Sequence, residues 1–61
     1  MANLTAKELS SLHDLLSSEE LLIKKFQMLA DATQDPELKD QFMHISSRHQ
    51  SHFDTVYSQL Q

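Results

Sequence analysis

The sequence predicts an all-α fold, an antiparallel hairpin of two helices, and three observations carry that prediction. The 61 residues contain no glycine and a single proline, which argues against tight hairpin turns, all-β folds and phosphate-cradling loops. Two strong helix starts stand about 30 residues apart with no breaker between them. Behind each start, apolar residues recur by alternating steps of three and four, the period of helices packed side by side.

The first start is Thr5-Ala6-Lys7-Glu8, an S/T-x-x-E capping box. The Thr5 hydroxyl can accept from the Glu8 amide while the Glu8 carboxylate reaches back to the Thr5 amide. Leu4 and Leu9 occupy the positions of a hydrophobic staple around it. The second start is Asp35-Pro36-Glu37, an acidic N-cap followed by proline at the first helical position and an acid in the first turn. The reading is one domain over residues 1–61, with a helix over about 6–31, a turn at 32–35 and a helix over about 36–60. So short a turn forces the helices antiparallel.

The seam of the first helix is Leu9, Leu12, Leu16, Glu19, Ile23, Phe26 and Ala30, and that of the second is Leu38, Phe42, Ile45, His49, His52, Val56 and Leu60. Folding the chain about position 34 sets residues level when their numbers sum to about 68. Phe26 then meets Phe42, Ile23 meets Ile45, and Glu19 meets His49, with His52 one turn further along the same face. Glu19, His49 and His52 are the only ionisable residues of the seam. Neutral imidazoles and a carboxylate form a donor set for zinc or another transition metal. The same trio can equally serve as a hydrogen-bonded polar layer that fixes register. His13 and His44 lie off the seam and read as solvated, as do Lys24 and Lys25. Ser17, Ser18, Ser46 and Ser47 read as small polar helix residues, since no acid–base partner in a cleft accompanies them.

Leu15, Leu22 and Leu29, with Phe53 and Tyr57, form a second apolar row that a two-helix seam does not need. A chain this short has little core of its own. The row therefore predicts a homodimer in which two hairpins make a four-helix bundle.

The net charge is −4 and there is no basic stripe, which argues against nucleic-acid binding. The longest apolar runs are three residues, too short for a membrane span. Lys7, Glu8 and Asp14 would interrupt a signal-peptide core, so intracellular synthesis is the expectation. Without cysteine, the chain is compatible with any redox compartment.

Three stretches together resemble the Coat F family of spore coat proteins: Glu19-Glu20-Leu21-Leu22-Ile23-Lys24-Lys25-Phe26, Asp35-Pro36-Glu37-Leu38-Lys39 and His49-Gln50-Ser51-His52-Phe53. That family belongs to the ferritin-like superfamily. The resemblance spans about residues 5–60 and implies a structural coat component, with other coat proteins as partners, rather than an enzyme. It also implies a ferritin-like four-helix bundle, here built from two copies of a minimal, single-hairpin member. Rubrerythrin-like members carry a Glu on the first helix and an E-x-x-H on the second. Glu19 and His52 match the first Glu and the histidine, but His49 stands where the motif has its second carboxylate. Di-iron chemistry relies on bridging carboxylates, so the nitrogen-rich set shifts the expectation to zinc, nickel or copper.

Overall fold

The computed structural model describes residues 3–61. Two helices fill it: α1 over Ala6–Ala32 and α2 over Pro36–Tyr57, the latter tightening into a 3-10 turn at Ser58–Leu60. No strand occurs among the described residues. The Cα trace is a rod of 46 × 15 × 10 Å, one helix wide in its thinnest direction. No helix of the described residues is long and apolar enough to cross a membrane.

Local chemistry sets the helix ends where the sequence places them. The capping box is complete, with Glu8 N–H donating to Thr5 Oγ1 and Thr5 N–H donating to Glu8 Oε1, both at 3.0 Å. The Thr5 bonds hold the Glu8 carboxyl below the ordinary glutamate range, the bond from the Thr5 backbone contributing most. At the other end, Thr33 N–H donates to the Leu29 carbonyl at 3.1 Å, and Thr33 Oγ1 accepts from Asp35 N–H at 3.2 Å. Asp35 then caps α2, its carboxylate accepting from Glu37 N–H at 2.9 Å and Leu38 N–H at 3.2 Å. Thr33 and Asp35 are extended, and no described residue has positive φ. The turn thus reverses the chain without the left-handed conformation that would call for glycine.

The seam closes in the predicted register. The Phe26 and Phe42 rings are 6.1 Å apart and tilted by 43°. Among the described residues, Leu16, Ile23 and Ala30 are the buried apolar ones, joined by Glu19 and Ser46. Ser46 sits where the helices come close, and its hydroxyl donates to the Ile23 carbonyl across the seam at 3.1 Å. A small side chain permits that approach, and the bond satisfies its buried hydroxyl. Leu9 and Leu38, near the two ends of the rod, are exposed.

The second apolar row is corrected by this geometry. A helix turns about 100° per residue, which puts Leu15, Leu22 and Leu29 on one edge of the α1 seam and Glu20, Lys24 and Gln27 on the other. Phe53 lines a groove with Glu20, Ile23, Lys24 and Gln27, and it stacks on Tyr57 with centroids 6.1 Å apart. Phe53 and Tyr57 therefore lie across the hairpin from the three leucines instead of widening the same face. Linear spacing gives each helix its own apolar width. It does not say which edge of one helix adjoins which edge of its antiparallel neighbour.

Candidate metal centre

The middle of the rod is polar where a hairpin of this size would ordinarily be apolar. The α1 seam brings Glu19 inward with Leu16 before it and Ile23 after it. The α2 seam presents His49 level with Glu19, and His52 follows one turn on, so both imidazoles project toward the same carboxylate. His49 Nδ1 lies 2.7 Å from Glu19 Oε1, and His52 Nδ1 lies 3.5 Å from the same oxygen. The two rings meet edge to face at 5.5 Å. Phe26 stacks on His49 at 6.1 Å with an interplanar angle of 18°, which fixes the ring from the turn side.

Burial falls steeply across the three. The Glu19 side chain is 11% exposed and His49 22%, whereas His52 is 55% exposed. The layer is closed at Glu19 and open at His52. Helix geometry puts His52 on the flank that also carries Leu15 and Leu22.

A carboxylate oxygen accepts, so the 2.7 Å contact is a hydrogen bond in the His49 tautomer that carries its proton on Nδ1. This contact satisfies a buried carboxylate that would be costly alone. No buried side-chain polar atom among the described residues lacks a partner.

The same arrangement has the dimensions of a ligand set. One donor atom from each of Glu19, His49 and His52 lies within 4.8 Å of the others. A tetrahedral zinc ion with bonds of about 2.0–2.1 Å holds its donor atoms about 3.3 Å apart. The Glu19–His52 separation of 3.5 Å already matches, while the 2.7 Å Glu19–His49 contact would open as an ion took the place of the shared proton. The His49 proton would then pass to Nε2, keeping the ring a neutral ligand. Three protein donors leave the fourth tetrahedral position for water or another group.

The structure brings together all three residues that the sequence singles out and leaves His13 and His44 exposed and apart from them. It adds one participant that periodicity does not reveal, Ser46, whose bond to Ile23 pins the two helices next to the layer. The available signal was its level position opposite Ile23, but a serine there is indistinguishable from a surface serine by pattern alone. No protein-family model, curated protein or solved structure matches the chain.

Proposed function

We propose that the chain is an assembly protein that works as a homodimeric helical bundle, in the manner of the spore coat components its sequence resembles. The observation that carries this reading is the face bearing Leu15, Leu22 and Leu29. Leu15 and Leu29 remain exposed in the single hairpin, beside the open histidine of the polar layer. Pairing two such faces about a two-fold axis gives a four-helix bundle of the ferritin-like kind and buries what one hairpin leaves in water. Other coat proteins are the further partners this reading implies, and the spore coat its location. Sedimentation equilibrium tests it. The expected result is a dimer at micromolar concentration, weakened by Leu15→Ser combined with Leu22→Ser. A folded, monodisperse wild-type monomer at that concentration contradicts it.

The convergence of Glu19, His49 and His52 favours a second role, a transition-metal site in the bundle core. Zinc, nickel and copper suit two imidazoles and a carboxylate, whereas oxidative di-iron chemistry would need more bridging carboxylate. Titration calorimetry with zinc is expected to show binding that His52→Ala removes and His13→Ala leaves intact. Equal affinity in the two variants overturns the site.

A further inference from the structure

The polar layer lies at the middle of the rod. Glu19 is the central residue of α1, which runs Ala6–Ala32, and His49 is held level with it. Two hairpins stacked face to face with flush ends have two possible two-fold axes. With the axis along the rods, every residue stays level with its own copy. With the axis across the rods, only the middle stays level with itself. The layer is at the middle, so both geometries bring the two layers together.

The layer is also closed on one side only. Glu19 and His49 sit in the seam, whereas His52 is 55% exposed on the flank it shares with Leu15 and Leu22. Two-fold pairing through that flank takes the His52 ring out of water. Without an ion, His52 Nδ1 lies 3.5 Å from Glu19 Oε1, and that oxygen already bonds His49 at 2.7 Å. The imidazole then enters the interface poorly satisfied, which disfavours pairing. With an ion between Glu19, His49 and His52, the same nitrogen is a ligand. Glu19 and His49 hold such an ion from the seam side, so its free coordination position faces the flank. A second copy on that flank shuts the position away from bulk water, and loss of water strengthens the attraction between ion and donors. Glu19 offsets half the charge of a divalent ion, and a zinc-bound water that ionises near neutrality offsets more.

We propose that metal binding and two-fold pairing are one linked equilibrium: a divalent transition metal at Glu19, His49 and His52 tightens the dimer, and the second copy completes the enclosure of the site. This rests on both readings above, the two-fold bundle and the metal centre, and adds the coupling between them. Linkage is reciprocal, so whatever factor the ion adds to dimerisation, dimerisation adds to ion binding.

The test is sedimentation equilibrium of the full chain over a concentration series, first in chelator and then with zinc in slight excess, together with calorimetric zinc titration. Zinc is expected to lower the dimer Kd by about tenfold or more, within the usual range of such couplings. His52→Ala, at an exposed position, is expected to dimerise equally with and without zinc. His13→Ala combined with His44→Ala is expected to keep the full response, since neither residue belongs to the layer. Leu15→Ser combined with Leu22→Ser is expected to weaken zinc binding as well as the dimer, although neither side chain offers a donor. Circular dichroism checks that each variant stays helical. A wild type that dimerises and binds zinc, with one dimer Kd in chelator and in zinc, overturns the coupling and leaves both readings standing. A zinc response that His52→Ala keeps, or that the His13 and His44 changes remove, belongs to surface histidines bridged by the ion and also overturns it. A wild type that takes up no zinc removes the metal centre, a zinc-loaded monomer removes the two-fold bundle, and either removes the coupling with it.

Discussion

Near the turn, Phe26 packs on Phe42 and Ala30 is buried, so the seam there is apolar. At the middle, among buried Leu16 and Ile23, the Glu19–His49 and Ser46–Ile23 contacts add hydrogen bonds between the helices. The apolar half supplies burial, a non-directional force that tolerates small slips. The polar half supplies direction: Glu19 with His49 and Ser46 with the Ile23 carbonyl are bonds whose strength depends on distance and angle. The difference is one of kind: burial acts without direction along the seam, while the polar layer adds directional bonds between the helices and brings three donor atoms together.

The largest effect is expected from breaking the apolar half. Ile23→Ala removes a buried side chain beside the layer and should cost about 2–4 kcal/mol, read by chemical denaturation. A cost below about 0.5 kcal/mol would mean that this seam is not the core. Ser46→Ala removes the cross-helix hydroxyl bond and leaves the Ile23 carbonyl its bond within α1, so a loss of about 1 kcal/mol is expected. Glu19→Leu sharpens the comparison further. Replacing Glu19 alone removes one partner and leaves the His49 ring nitrogen unpaired, so a loss of about 1–2 kcal/mol is expected, held down by the partial exposure of His49. Zinc binding should vanish in the same variant. A large destabilisation would instead make the layer a support of the fold in its own right.

The smallest effect lies at the capping box, far from both halves. The Glu8 carboxyl is held below its ordinary value by the Thr5 bonds, so its contribution is present above the usual glutamate range and lost as pH falls through the lowered value. Melting curves of wild type and Glu8→Gln should differ slightly at neutral pH and converge on acidification. A gap that widens as pH falls would contradict the assignment.

Much of this was legible because the signals are local or simply periodic. Thr5–Glu8 and Asp35–Pro36 carry their own hydrogen-bonding logic, and the observed α1 start at Ala6 and α2 start at Pro36 coincide with the sequence reading. The level rule placed Glu19 against His49 because a short turn fixes the offset of antiparallel helices. The C-terminal end was less legible. The sequence places the end of the second helix at about 60, yet α2 ends at Tyr57 and tightens into a 3-10 turn, with no glycine or proline to mark the change. The placement of Phe53 across the hairpin from Leu22 was hidden for another reason. Linear spacing records how far a side chain lies from its own seam, while the pairing of flanks depends on both helices at once. Leu21 and Met28 were visible as letters, but their exposure emerges only once α2 is known to occupy the other side of α1.

Native mass spectrometry of the untagged protein, with and without added zinc, tests the central claim most directly. It reports chain number and bound ions in one spectrum. The account predicts even-numbered assemblies that take up zinc, with Glu19→Ala losing the ion. A metal-indifferent monomer, or zinc uptake that Glu19→Ala leaves unchanged, would contradict it.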